Sequence, residues 1–263
     1  MVDEAPILIS QAGGVMYVTL NRPHARNAMN GAMVEALMAA FDSAEADPGV
    51  RIMVLRGAGG VFCAGGDLKG FATGPKTPDA ITKGNRLFGT LLERAQAFPK
   101  LLISFCRGAA MGGGFGLVCV SDIAIADADC RFGMPEVTLG LVPAQIAPFV
   151  CARIGLTHTR NLALTGAIIS GKKARKLGLV HYAEAGALAM DQRLTDILKQ
   201  AHKAAPEALA ATKQMLIGMG NTVTPETLDK AAELFTASLG GEGREGTQAF
   251  AEKRLPAWAE GHA

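Results

Sequence analysis

The feature that most constrains the fold is a recurring order of an apolar strand, a glycine-rich turn and a helix. The apolar segments VMYVTL, RIMVLRG, KLLISFCRG and DIAIAD predict strands. After the first of them, Asn30 is placed to cap a helix whose apolar face comprises Met33, Leu37, Ala40, Phe41 and Ala44. A second helix is predicted between Asp79 and Phe98. This alternation predicts an α/β fold, and no repeated motif supports a solenoid.

From about Gln145 onward the pattern changes to helices, with LVHYAE as an exception that predicts a strand. The helical segments are SGKKARKLG, DQRLTDILKQAHKAA, PEALAATKQMLIGMG and PETLDKAAELFTASLG, and prolines open the last two. We therefore predict an α/β core over residues 1–195 and a C-terminal helical region over 196–263. We expect the helical region to pack on the core or on another subunit.

Composition excludes several classes of function. Charged residues make up 19% of the chain, the formal net charge is +2, and the basic residues are scattered, so we expect no nucleic-acid partner. The five cysteines form no CxxC pair and lie mostly in apolar segments, which predicts reduced, buried thiols and no metal site. The first residues lack the pattern of a signal peptide, and no segment offers about 20 uninterrupted apolar residues. We therefore expect a cytoplasmic protein with no membrane partner.

Two glycine-rich stretches each follow a predicted strand: FCAGGDL at residues 62–68 and MGGGFG at 111–116. Glycine inside a helix costs about 1 kcal/mol relative to alanine, so such runs indicate a tight turn or a close approach to the backbone. Unpaired N–H groups at a helix start can bind a developing oxyanion, and close helix–strand packing is the alternative explanation. Neither stretch has the spacing of a P-loop or a GxGxxG turn, which disfavours phosphoryl and hydride transfer.

Five segments together carry a specific resemblance: LNRPHARNAMN, FCAGGDL, MGGGFGLVCVSD, FGMPEVTLGLVP and AFAEKRLPAW. Their order and spacing resemble the enoyl-CoA hydratase/isomerase (crotonase) family over almost the whole chain. The resemblance implies a ClpP-like spiral of ββα units with a C-terminal helical trimerisation region. It also implies an acyl-CoA thioester as substrate, which itself carries the CoA so that no separate cofactor is needed, and a homotrimer or a dimer of trimers.

The resemblance assigns the reacting groups. The backbone N–H groups of Ala64 and Gly113 would bind the thioester carbonyl, and Glu136 would act as the acid/base. Gly116 stands where hydratases of the family usually carry the first of two glutamates. Asp67 is expected to brace its loop.

Substrate-binding residues also follow from the resemblance. Arg22 or Arg26 would lie near the CoA phosphates, while Met134 would line the acyl pocket. The remaining expected contacts with the thioester and its CoA are Leu68, Gly112, Phe250 and Lys253.

Gly116 leaves the reaction open. The missing glutamate is compatible with a loss of activity, with room for a bulkier substrate or another water ligand, or with an isomerase, which needs one base. Within the family, LGLVPAQIAPFV and GFGLVCVSD are most similar to isohexenylglutaconyl-CoA hydratases. We therefore predict hydration of a branched or glutaconyl-type 2-enoyl-CoA by Glu136, with the substrate's own carboxylate helping to hold the water. The alternatives are an enoyl-CoA isomerase and a catalytically silent acyl-CoA-binding protein.

Overall fold

The structure, a computed structural model, describes residues 5–67, 77–219, 242, 245, 249, 252 and 254–259. Its main sheet has six strands in the order β1-β2-β3-β4-β6-β9, and all neighbours except β1 and β2 run parallel. The strands are β1 (Ile7–Ala12), β2 (Val15–Leu20), β3 (Ile52–Gly57), β4 (Leu101–Cys106), β6 (Ile123–Asp127) and β9 (Tyr182–Glu184).

A smaller sheet has three short strands in the order β5-β7-β8, namely β5 (Ala109–Met111), β7 (Arg131–Gly133) and β8 (Ile168–Ser170). From β4 to β7, consecutive strands alternate between the two sheets: β4 and β6 belong to the main sheet, whereas β5 and β7 belong to the small one. A helix follows β5, so β4, β5 and that helix form a ββα unit. The predicted α/β fold is confirmed.

Seven α-helices have both of their ends among the described residues. Asn30 caps the first, since its side chain accepts a hydrogen bond from the Met33 N–H at 3.0 Å, as predicted. No helix among the described residues is both long and apolar enough to cross a membrane. The helices are α1 (Gly31–Ala46), α2 (Pro78–Ala97), α3 (Gly113–Val120), α4 (Ala147–Thr165), α5 (Gly171–Lys176), α6 (Ala187–Ala201) and α7 (Pro206–Gly218).

The main sheet is covered on both faces, which explains why its central strands are almost entirely apolar. Helices α1 to α4 contribute to the larger core, and α6 contributes Met190 and Ile197 to the smaller one. Helix α6 crosses the predicted boundary at residue 195. Its residues before and after that boundary, Met190 and Ile197, both pack in the smaller core. The helix therefore belongs to the core, and the division beyond it stays a prediction, because PETLDKAAELFTASLG lies outside the described residues.

Candidate active site

The two glycine stretches meet side by side. A parallel bridge pairs Cys63 with Ala110, and the Met111 N–H donates to the Cys63 carbonyl at 2.9 Å. Continuing this register places Gly65 beside Gly112 and Gly66 beside Gly113. The backbones approach so closely that a Cβ on Gly112 would lie 3.6 Å from the Cα of Gly65. Gly65 has a φ of +106° and Gly112 one of +49°, which favour glycine at both positions.

The backbone N–H groups of Gly66 and Gly113 at this junction have no acceptor among the described residues. Gly113 begins helix α3, where first-turn N–H groups lack a partner within the helix. On either side of Gly66, the Gly65 N–H approaches Cys63 Sγ at 3.4 Å and the Asp67 N–H donates to the Met29 carbonyl at 2.9 Å. Gly66 and Gly113 therefore offer two donors at one place.

The Ala64 N–H is not such a donor. It donates to the carbonyl of Arg26 at 3.0 Å, so it is already used within the fold. This bond corrects the expected role of Ala64 and leaves Gly66, two residues later, as the group that can face a ligand. The sequence signal that could have found Gly66 is its place directly before Asp67 in GGD, but the choice depends on which N–H the tertiary structure leaves unpaired.

Glu136 lies at the same junction. It sits in the first turn of a 3-10 helix, Pro135–Leu139, that follows β7. The Gly112 N–H donates to the Gly133 carbonyl at 2.9 Å and so ties β7 to the glycine turn. A Cβ on Gly112 would lie 2.9 Å from Oε1 of Glu136, so the absence of a side chain lets the carboxyl group approach the backbone. The structure therefore brings Glu136 and Gly113 together, as the sequence predicts.

The environment of Glu136 favours the neutral acid. Its Oε2 is buried and has no hydrogen-bond partner among the described residues. Burial raises the pKa of Glu136 above the ordinary carboxyl value, and a bond to its own backbone N–H only partly opposes this effect. A half-buried carboxyl group with an unsatisfied oxygen costs free energy unless a ligand satisfies it. Such a group is typical of a site that binds or transfers a proton.

Gly116 is enclosed by apolar side chains. A Cβ at this position would lie 2.7 Å from Cγ2 of Ile146 and 3.2 Å from Cδ1 of Leu92. Both neighbours are almost completely buried, so they have little freedom to move. The absent glutamate is therefore replaced by close packing, and the expected room for a bulkier substrate or another water ligand at this position is not found.

An ion pair and a buried amide brace the segments on either side of Gly66. Arg22 Nη2 lies 2.8 Å from Asp67 Oδ2, and Arg22 also donates to the Ala28 carbonyl. Asn27 is completely buried with a φ of +58°, and its Nδ2 donates to the carbonyls of Ala58 at 2.9 Å and Val61 at 2.6 Å. The sequence analysis did not single out Asn27. The available signal was the residue type, because asparagine tolerates a positive φ better than most residues.

The other expected binding residues separate into three groups. Arg22 is 17% exposed and committed to Asp67, whereas the Arg26 side chain is exposed. Met134 is fully buried in the larger core, so it supports the segment before Glu136 and its surface is not open to an acyl chain. The predicted contacts that lie outside the described residues are Leu68, Phe250 and Lys253.

Comparison with known proteins identifies the family of this chain. Residues 10–261 match the family model described as enoyl-CoA hydratase/isomerase. A 2,3-dehydroadipyl-CoA hydratase of Escherichia coli K12 is 33% identical, over 95% of this chain and 97% of that protein.

Two solved structures are also similar. Pseudomonas aeruginosa AtuE is 52% identical with a TM-score of 0.92, over 97% of this chain and all of that one. An enoyl-CoA hydratase/isomerase from Marinobacter aquaeolei is 46% identical with a TM-score of 0.92, over 97% of this chain and 99% of that one. These matches agree with the two-sheet α/β architecture, and they show that the chain is a member of the enoyl-CoA hydratase/isomerase family with the crotonase fold.

Proposed function

We propose that this protein hydrates a 2-enoyl-CoA thioester, with Glu136 as the single side-chain acid/base and the N–H groups of Gly66 and Gly113 as the oxyanion hole. One observation carries the proposal: an unsatisfied, half-buried carboxyl group lies beside two unpaired backbone donors. A carbonyl that accepts both hydrogen bonds would hold the adjacent carbons next to Glu136. A protein that only binds thioesters has no need of an acid/base there.

The reaction needs one proton to move twice. The Glu136 carboxylate takes a proton from water as the water oxygen bonds to the β-carbon. The electron pair of the double bond shifts to the thioester, which becomes an enolate whose negative oxygen is held by the two N–H groups. Protonated Glu136 then delivers a proton to the α-carbon, the carbonyl reforms and the carboxylate is restored. Atoms and charge balance with no further reactant.

The raised pKa of Glu136 suits both halves of this cycle. A base with a pKa nearer to neutrality holds the proton of water more firmly than an ordinary carboxylate does, and it still releases that proton to the enolate. Burial supplies this pKa shift without a second carboxylate. The enclosed position of Gly116 is consistent with a site that operates with one glutamate.

For the acyl group we propose a branched or glutaconyl-type chain, close to isohexenylglutaconyl-CoA. The resemblance of LGLVPAQIAPFV and GFGLVCVSD supports it, as does the E. coli relative, which is named for an adipyl thioester. Arg26, exposed beside the glycine loop, is proposed to contact the CoA phosphates. The roles of Leu68, Phe250 and Lys253, the homotrimer or dimer of trimers and the cytoplasmic location stay predictions.

An isomerase is the second candidate, because Gly116 is packed against Ile146 and Leu92. Moving a double bond requires a base that removes one proton and returns it to another carbon, and it requires no water. A closed apolar position where a second carboxylate would hold water is compatible with that chemistry.

The test is turnover of a thioester panel, with products identified by mass. The panel contains crotonyl-CoA, 3-methylglutaconyl-CoA, isohexenylglutaconyl-CoA and a 3-enoyl-CoA, each with wild type and Glu136→Gln. Hydration predicts a mass gain of one water that collapses in the variant. Conjugation of the 3-enoyl substrate at constant mass would replace this proposal with the isomerase. Tight binding without any turnover would indicate an acyl-CoA-binding protein.

The oxyanion hole can be tested by removing one N–H. Gly113 is the first residue of helix α3, a position that tolerates proline, so Gly113→Pro deletes the donor. Gly113→Ala is the matched control because its Cβ meets the same neighbours, Met29 and Phe88, and keeps the N–H. We expect kcat of the proline variant to be about 100-fold to 1000-fold below that of the alanine variant. Equal kcat values would show that this N–H does not bind the oxyanion.

A further inference from the structure

We infer that Cys63 is a positioning residue of the oxyanion hole: its buried thiol holds the peptide groups of Gly65 and so fixes the direction of the Gly66 N–H. This role rests on the proposed function, because it takes the Gly66 N–H as one of the two donors to the thioester carbonyl. It gives a function to a side chain that the sequence predicts only as a reduced, buried thiol. Cys63 would act through the backbone and would not touch the reacting atoms.

The Gly66 N–H belongs to a peptide unit that is intrinsically free to rotate. The unit joins Gly65 to Gly66, and neither residue has a side chain that restricts its backbone. Gly65 has a φ of +106°, which is one of several conformations open to glycine. An oxyanion hole depends on donors that already point at the developing charge. Contacts with other residues must therefore hold this peptide in place.

Hydrogen bonds to the Gly65 carbonyl oxygen hold it. The Met29 N–H donates to this oxygen at 2.8 Å, and the Cys63 thiol donates to it at 3.7 Å from Sγ. A trans peptide is planar and its C=O and N–H point in opposite directions, so fixing the Gly65 oxygen also fixes the Gly66 N–H. Hydrogen bonds in a chain polarise one another, so a carbonyl that accepts such bonds makes the N–H of its own peptide a stronger donor.

The thiol also holds the other side of Gly65. The Gly65 N–H donates to Cys63 Sγ at 3.4 Å. One sulfur atom thus bonds to the peptide groups before and after the Gly65 Cα, which restrains both φ and ψ of that glycine. Burial raises the pKa of Cys63 to about 12, so near neutral pH the thiol keeps the proton that it donates and forms no thiolate nucleophile.

Cys63 is itself anchored to the second glycine stretch. Its N–H donates to the Ala109 carbonyl and its carbonyl accepts from the Met111 N–H, both at 2.9 Å. Helix α3 packs directly on its side chain, since a Cβ on Gly114 would lie 2.6 Å from the Cβ and 3.1 Å from the Sγ of Cys63. Gly114 directly follows Gly113, which carries the other proposed donor. The thiol therefore lies between the two segments that form the oxyanion hole.

The test compares two substitutions of Cys63 with the loss of another buried thiol. Cys63→Ala removes both sulfur hydrogen bonds, whereas Cys63→Ser keeps a donor and an acceptor. Cys106→Ala is the control, because Cys106 is also completely buried in the larger core. With the thioester that wild type hydrates fastest, we expect Cys63→Ala to lower kcat about 3-fold to 10-fold with little change in KM, as for the loss of a neutral hydrogen bond in the transition state. Cys63→Ser should recover most of this loss, and Cys106→Ala should keep the wild-type kcat.

The carbonyl stretch of a bound, unreactive thioester reports on the two donors without turnover. Butyryl-CoA, isotope-labelled at its carbonyl carbon, is the probe, because it has no double bond to hydrate. Stronger hydrogen bonds to the carbonyl oxygen weaken the C=O bond and lower its infrared frequency. The band should therefore move to lower frequency on binding to wild type, Cys63→Ser and Cys106→Ala, and should move less on binding to Cys63→Ala.

The outcomes separate the role of Cys63 from the proposed function. If Cys63→Ala matches Cys106→Ala in band position or in kcat, or if Cys63→Ser behaves like Cys63→Ala, the role of Cys63 is overturned and the oxyanion hole stands. If wild type does not move the band at all, the proposed oxyanion hole is refuted, and the role of Cys63 is refuted with it. Urea unfolding of each variant verifies that the compared proteins are folded.

Discussion

The enclosure of Gly116 makes a quantitative prediction about helix α3. Gly116 lies inside this helix, where replacing glycine with alanine ordinarily stabilises a protein by about 0.5–1 kcal/mol. The new methyl group would lie 2.7 Å from Ile146 and 3.2 Å from Leu92, and overpacking of a core typically costs about 1–3 kcal/mol. We therefore expect Gly116→Ala to be destabilised by about 1 kcal/mol in spite of its better helix propensity.

A matched glycine gives the opposite expectation. Gly84 lies inside helix α2, is exposed, and has nothing within 4 Å of where its Cβ would be. Gly84→Ala should therefore stabilise the protein by about 0.5–1 kcal/mol. Urea unfolding of the two variants beside wild type measures both free energies under the same conditions.

A double-mutant cycle identifies the contact responsible. Ile146→Ala alone should lose about 2–5 kcal/mol, because it leaves a cavity in the core. Combined with Gly116→Ala, the added methyl group fills part of that cavity instead of clashing. The double variant should then be more stable than the sum of the single changes by about 1 kcal/mol or more. Additive effects within about 0.5 kcal/mol, or a stabilised Gly116→Ala, would refute the packing described for this position.

Three further predictions concern the acid/base, a helix cap and a buried ion pair. Because burial raises the pKa of Glu136, kcat/KM for hydration should fall as pH drops through that raised pKa, which activity measured across pH checks. As pH rises through the same pKa, Glu136→Gln should gain stability relative to wild type, which urea unfolding measured across pH checks. Asn30→Ala should lose about 1 kcal/mol of unfolding free energy, measured in urea, because the Met33 N–H loses its cap. Lys213→Met should lose about 3 kcal/mol of unfolding free energy in urea, because Asp122 is left without the ammonium group 2.8 Å away. Adding Asp122→Asn should recover part of that loss. A double variant no more stable than Lys213→Met would contradict this account.

The sign of the Glu136 effect on stability follows from linkage. A carboxyl group whose pKa is higher in the folded state binds its proton more tightly when folded, so it favours folding at low pH and this contribution disappears as pH rises through the folded pKa. Glutamine has no charge to bury and shows no such loss. Keeping the Glu136 carboxylate buried therefore lowers the stability of the folded protein. A ligand that donates a hydrogen bond to the unsatisfied Oε2 would reduce this loss.

Local sequence patterns are sufficient to predict the elements with strong signals. The apolar runs of β2, β3, β4 and β6, the cap at Asn30 and the face of α1 follow from hydrophobic spacing and side-chain chemistry, which act over a few residues. The short strands β5, β7 and β8, each of three residues, were not predicted because they are too short to show a period. The linked motifs also predict roles for Glu136 and Gly113, which the structure places at the same junction.

Which of the predicted groups can contact a ligand depends on tertiary contacts. Ala64 and Gly66 both lie in the same glycine-rich stretch, but the Arg26 carbonyl pairs with the first N–H and leaves the second free. The sequence shows only that Gly116 has no side chain, whereas in the structure Ile146, thirty residues later, occupies the space where that side chain would be. Hydrogen-bond pairing and close packing depend on segments far apart in the chain, so local sequence patterns carry no signal for them. The sequence motifs predict the chemistry proposed for this site, and the tertiary fold determines which backbone N–H groups are left unpaired there.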